Sequence, residues 1–186
     1  MNRFIKSSLD GNRFIKVVFL TMLVAVLPSA KAITEESYPM SNLVHPNDIE
    51  CMALNIYHEA RNESLAGQVA VAQVVMNRKA HASYPDNICG VVKQGPTYIT
   101  GDGTVVPKRH KCQFSWFCDG RADEASNMHA WRESVTIANA VLDGIYPDIV
   151  EGSLWYHADY VSPYWRRGVK YVTQIDRHIF YSELSD

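Results

Sequence analysis

From Ile49 onward the apolar residues recur at helical spacing: Ile49, Met52, Ala53, Ile56, Tyr57 and Ala60 fall on one side of a helix at about 100° per residue. The pattern predicts a helix from about Asp48 to Arg61, with Asn47 followed by Glu50 resembling a capping box. Ser64 then opens a second helix. From Leu65 to Arg78 it is apolar on nearly every side, as a central helix packed all round would be. Between His81 and Lys111 turn signals crowd in (Tyr84-Pro85-Asp86-Asn87, Gly95-Pro96, Gly101-Asp102-Gly103), predicting loops and short strands. Asp102-Gly103 between Tyr98-Ile99-Thr100 and Thr104-Val105-Val106 suits a small hairpin. A third helix is expected from about Asp123 to Leu142, with Trp131, Val135, Ala138 and Leu142 as a core stripe and an end at Asp143-Gly144. Beyond Gly152 the chain turns aromatic, with Trp155, Tyr156, Tyr160, Tyr164, Trp165, Tyr171, Phe180 and Tyr181. That density suits strands, either as the core of a small β lobe or as the wall of a carbohydrate groove, where sugar C–H faces meet aromatic rings.

The first residues follow a different logic. Arg3, Lys6, Arg13 and Lys16 precede an apolar run, Val17 to Leu27, that closes on Pro28-Ser29-Ala30-Lys31-Ala32. This reads as a secretory signal peptide, residues 1–32, cleaved after Ala32; an uncleaved anchor is the alternative. A lead segment, 33–46, would precede one catalytic-size domain, 47–186. Residues 1–32 hold five of the 18 basic and one of the 20 acidic residues, so the remainder carries a formal charge of −6. Such a balance argues against nucleic acid or an anionic membrane as partner, and with the leader removed a monomer without membrane insertion is expected in the periplasm or outside the cell.

The helical pattern also singles out a carboxylate. Glu59 lies roughly 20° from Met52 around the first helix, at the edge of its apolar face. Burial there would raise its pKa, as a general acid working near neutral pH requires, and Glu63 one turn on would push in the same direction. The plainer reading is a surface glutamate paired with Arg61.

Four cysteines, Cys51, Cys89, Cys112 and Cys118, all follow the leader, an even number for an oxidising compartment. Of the three connectivities, the short spacing favours Cys112 with Cys118, leaving Cys51 with Cys89. The spacings are not those of paired zinc knuckles.

Four ordered blocks carry a resemblance: Ala53-Leu54-Asn55-Ile56-Tyr57-His58-Glu59-Ala60-Arg61 with Gly67-Gln68-Val69-Ala70-Val71-Ala72 and Asn77-Arg78; Ile88-Cys89-Gly90-Val91-Val92; Cys112-Gln113-Phe114-Ser115-Trp116; and Trp155-Tyr156-His157-Ala158 through Ser162-Pro163-Tyr164-Trp165 to His178-Ile179-Phe180-Tyr181. Together they resemble the SleB/CwlJ type of cell-wall hydrolases over most of residues 51–181. The resemblance implies an α+β, lysozyme-like fold, a helical lobe carrying the catalytic glutamate plus a small β lobe. It implies cleavage of the β-1,4 bond between N-acetylmuramic acid and N-acetylglucosamine in peptidoglycan strands, with Glu59 as acid/base and neither metal nor cofactor. Members are described as lytic transglycosylases. That chemistry fits a chain in which no second carboxylate stands out among Glu63, Asp102, Asp119 and Asp159, whereas a two-carboxylate muramidase would need one. Gln113, Ser115, Trp116, Tyr156, His157 and Trp165 match blocks expected to meet substrate; Asn77 and Arg78 are expected to hold structure.

The chain departs from the family where Asn62 and Asp176 replace common glycines, both residue types that tolerate positive φ. The stretch Gly95 to Lys111 is longer than usual, and is expected to reshape one wall of the groove. Three rival readings remain at this point. A zinc hydrolase begins with His58-Glu59 but lacks the second histidine at Asn62, leaving only a convergence of His58, His157 and His178. A cysteine peptidase would use Cys51 or Cys112 with His157. A catalytically silent glycan-binding domain would keep the groove alone.

Overall fold

The computed structural model describes residues 46–184. The expected signal peptide and nearly all of the lead segment lie outside the described residues. The first helix, α1 (Pro46–Ala60), starts one residue before Asn47, so Asn47 sits inside the first turn and does not cap it. Proline explains the shift, since its fixed φ and missing N–H suit the first helical position. Met52, Ala53, Ile56, Tyr57 and Ala60 are buried as the spacing predicts.

Helix α2 (Leu65–Ala80) is capped by Ser64, whose hydroxyl accepts from Gly67 N at 3.3 Å. Every residue from Gly67 to Val75 is buried. The reason is two-sided packing: Val69, Ala72 and Val75 join the main core with α1, while Ala70 and Val74 meet Val150 and Phe180 in a second cluster. A short α3 (Ile88–Val92), capped by Asn87, adds Ile88, Val91 and Val92 to the main core.

The hairpin forms as β1 (Thr97–Ile99) and β2 (Val105–Pro107), with Tyr98 opposite Val106 and Gly103 at φ 86° in the turn. Helix α4 (Met128–Leu142) is five residues shorter than expected. Asn127 accepts from His129 N and Ala130 N at 3.0 and 3.1 Å, which fixes the start and leaves Asp123–Ser126 outside. Its deepest residues are Ala130, Ser134, Ile137, Ala138 and Val141, so the expected stripe flanks the buried face, with Trp131, Val135 and Leu142 only partly covered.

The C-terminal strands form one antiparallel sheet in the order β3–β5–β4, from β3 (Trp155–Ala158), β4 (Lys170–Ile175) and β5 (His178–Ser182). A bulge interrupts β4 between Tyr171 and Thr173. The turn joining β4 to β5 places Asp176 at φ 50°, as its residue type allows, whereas Asn62 does not adopt positive φ. Asp176 gains something for this strain, because its carboxylate accepts from Ser64 N at 2.9 Å and Ser64 Oγ at 2.6 Å, tying the sheet to the start of α2. Both cysteine pairs are bridged, Cys51–Cys89 joining α1 to α3 and Cys112–Cys118 closing a local loop. Among the described residues no helix is long and apolar enough to cross a membrane.

Candidate active site

Glu59 stands in the last turn of α1, where the helix meets the sheet. Tyr156, on β3, donates its hydroxyl to Glu59 Oε2 at 3.2 Å. Burial pushes the Glu59 carboxyl above its usual range, with the Tyr156 hydrogen bond and the charge of Arg78 pulling partly back. The expected pairing with Arg61 is absent. Arg61 donates to Tyr57 O at 3.0 Å and lies over the Tyr57 ring, one helical turn back along the chain. Glu63 does not press on Glu59 either, since its Oε2 accepts from Arg177 N.

Around Glu59 runs a cleft of about 540 Å³. All six residues expected to meet substrate line it: Gln113, Ser115, Trp116, Tyr156, His157 and Trp165. Gln113 and Ser115 are exposed, so their polar groups are free for a ligand. Trp116 is buried, its indole N–H held by Asn55 Oδ1 at 3.2 Å and its ring stacked on His58 at 4.6 Å. His157 is buried with both ring nitrogens engaged, Nδ1 by Ala158 O and Nε2 by the Tyr181 hydroxyl. Its ring stacks on Tyr181 at 5.3 Å and meets Trp165 edge to face at 5.6 Å.

Arg78, expected to be structural, is 5% exposed and does both jobs: Nε donates to Leu154 O at 2.7 Å, yet the side chain also lines the cleft near Glu59. It lies over the rings of Tyr84 and Phe114, and its Nη1 is buried without a partner. An arginine in a helix otherwise buried on every side was the sequence signal for such a role. Asn77 is structural as expected, donating to Asp148 and Ser153. Of the four other carboxylates considered, Asp119 alone lines the cleft.

The rival chemistries meet this geometry as follows. His58, His157 and His178 do all border the cleft, but among the described residues no three His, Cys, Asp or Glu side chains group closely enough to hold a metal ion. His58 is bonded instead to Asp123 O at 2.9 Å, and burial holds His178 below the usual imidazole range. Both cysteines proposed as nucleophiles are oxidised, so neither offers a thiolate. The long Gly95–Lys111 stretch does not form a wall of this cleft; β1 and β2 border a separate cavity with Phe117 and Arg109.

Known proteins resemble this chain in sequence and fold. A family model described as cell wall hydrolase matches residues 62–181, beginning just after the Glu59 turn. The spore cortex-lytic enzyme of Halalkalibacterium halodurans is 45% identical over 67 residues, covering 31% of this chain and 20% of that protein. The chain spans about a fifth to a quarter of the length of the first such relatives. The solved catalytic domain of the Bacillus cereus SleB protein is 28% identical with a TM-score of 0.50, covering 73% of this chain and 90% of that one. The catalytic domain of the germination-specific lytic transglycosylase SleB from Bacillus anthracis is 27% identical with a TM-score of 0.55, covering 78% and 100%. The α+β, lysozyme-like architecture is therefore that of SleB catalytic domains, and with most of its helices, cleft wall and sheet inside the matched span, the chain belongs to the cell wall hydrolase family.

Proposed function

We propose that this protein is an exported peptidoglycan glycosidase that cleaves the bond between N-acetylmuramic acid and N-acetylglucosamine as a lytic transglycosylase, with Glu59 as its single acid/base. The observation that carries the reading is a carboxyl group raised by burial, in no ion pair among the described residues, and open to a cleft walled by hydroxyl, amide and aromatic groups. Protonated Glu59 gives its proton to the glycosidic oxygen as the C1–O bond breaks, and N-acetylglucosamine leaves with a hydroxyl. The Glu59 carboxylate then takes the proton of the muramic C6 hydroxyl while O6 bonds to C1, giving a 1,6-anhydro ring and restoring the acid. Tyr156 holds the carboxylate between the two transfers. Trp165 supplies a ring face for a sugar, Trp116 and His157 border the cleft beside it, and Gln113 and Ser115 supply hydrogen bonds to acetamido and hydroxyl groups.

The test is mass spectrometry of material released from purified peptidoglycan by the residue 33–186 protein and its Glu59→Gln variant. Anhydro ends from the parent and none from the variant support the reading. Release by neither protein would leave a silent binding domain. Hydrolysis is the second reading, favoured by the place of Asp119 in the cleft, where it would act as the second carboxylate. Reducing ends that disappear in Asp119→Asn would establish it.

A further inference from the structure

Residues 33–186 are acidic overall, yet the segment from Lys108 to Arg121 is not: Lys108, Arg109, Lys111 and Arg121 face a single acid, Asp119. The fold organises this basic segment. His110 N donates to Cys118 O at 2.9 Å, Arg109 Nε donates to Asp119 O at 3.0 Å, and the Cys112–Cys118 bridge closes the loop. Gly120, at φ 82°, leaves the Arg109 guanidinium room to lie against the backbone; a Cβ there would meet Arg109 Cζ and Nε at 2.7 Å. Arg109 is thus held in place.

Beside it lies a cavity of about 350 Å³, bordered by Arg109 and Arg121 and by the apolar faces of Tyr98, Val106 and Phe117. Tyr98 and Val106 are cross-strand partners and so share one face of the hairpin. This cavity and the glycan cleft are the two sides of one turn. Along Ser115–Arg121 the residues divide, with Ser115, Trp116 and Asp119 on the cleft and Phe117, Gly120 and Arg121 on the cavity.

Resting on the reading of the cleft as a glycan groove, we propose that this cavity is a subsite for the acidic peptide stem carried by muramic acid. Stem carboxylates pair with the guanidinium forks of Arg109 and Arg121, and small aliphatic side chains of the stem pack on Tyr98, Val106 and Phe117. The two sites share the turn Ser115–Arg121, and three extended peptide residues reach about 10 Å. The charges are solvent-facing, so the subsite sets a preference for stem-bearing strands and is not a requirement for cleavage.

The test compares stem-bearing peptidoglycan with the same strands stripped of peptide by an amidase. Sedimentation with each is measured on the Glu59→Gln background, and product release on the parent background. Stem-bearing strands should be preferred in both assays, and Arg121→Glu should cut that ratio about five- to tenfold, less at high salt. Arg121→Glu is the cleaner variant because the Arg121 side chain makes no hydrogen bond among the described residues; Arg109→Gln should act in the same direction. An unchanged ratio in both variants overturns the proposal, as does an equal loss on both kinds of strand. So does capture of stem-free walls bearing polyphosphate polymers that Arg121→Glu abolishes, which would mark a general polyanion site. Stem-dependent sedimentation without any glycan release would sink the glycosidase reading alone, and equal release from both strands with equal sedimentation would sink this one alone.

Discussion

The two halves that meet at Glu59 are built from opposite materials. On the helical side, α1, α2, α3 and α4 interlock through small and aliphatic side chains, and Met52, Ile56, Val75, Val91 and Ala138 lose almost all contact with water. On the strand side, Tyr156, Trp165 and Tyr171 stay partly or largely exposed, and rings are packed edge to face around Tyr181. The helical half thus gives a dry floor beside which burial raises the Glu59 carboxyl, and one group from each half, Tyr156 from β3 and Arg78 from α2, pulls it partly back.

Four experiments would break or sharpen that contrast. The largest expected effect is at the acid: Glu59→Gln should lower turnover by about 10²–10⁴-fold, the range general acid catalysis contributes, whereas Trp165→Ala should act mainly through KM. Comparable losses of kcat in both would erase the distinction. Next comes the floor. Ile56→Ala should cost about 2–5 kcal/mol in urea unfolding, because a buried side chain in a close-packed core leaves a cavity, while Trp165→Ala, only partly covered, should cost clearly less. The disulfides offer the same contrast by loop length. Removing Cys51–Cys89, which closes 38 residues, should cost about 4 kcal/mol, against about 2 for Cys112–Cys118, which closes six. Thermal melts of the two paired Cys→Ser variants decide it.

The smallest effect concerns pH. Because the Tyr156 hydroxyl and the Arg78 charge both favour ionised Glu59, Tyr156→Phe and Arg78→Met should each raise its carboxyl further. As the proposed general acid Glu59 must be protonated to act, so the alkaline limb of the kcat/KM profile should move to higher pH in both. Stability follows the same sign. A carboxyl raised on folding keeps its proton where the unfolded chain has lost it, so its contribution is fullest at low pH and fades as pH rises through the raised value. Melts of Glu59→Gln against the parent should therefore diverge in favour of the variant toward alkaline pH; parallel curves would mean that Glu59 is not desolvated.

Much of this was legible in the sequence, for identifiable reasons. Periodicity found α1 and the all-round burial of α2, because those signals are local and strong. The blocks around Gln113 and Tyr156 pointed to side chains that do converge on Glu59. The misses were tertiary or set by one side chain. The start of α4 depended on which residue supplied the cap, and Asn127 does so five residues later than the apolar spacing suggests. Arg78 looked structural because nothing local shows that the end of α2 faces the cleft as well as the core. The length of the hairpin segment points to the groove wall, but the turn at Ser115–Cys118 comes between them.

The Cys51–Cys89 bridge lies eight residues upstream of Glu59 on the same helix, about 12 Å away. Its consequence is one of timing. While the thiols are reduced, the helix that carries Glu59 lacks its tie to α3, so on the proposed export a chain still inside the cell that makes it should be a poorly formed enzyme. Oxidation would complete the fold and arm the acid in one step. A reduced preparation should then show a lag in wall lysis that ends as the bridge forms, and immediate full activity in reductant would remove that safeguard from the account.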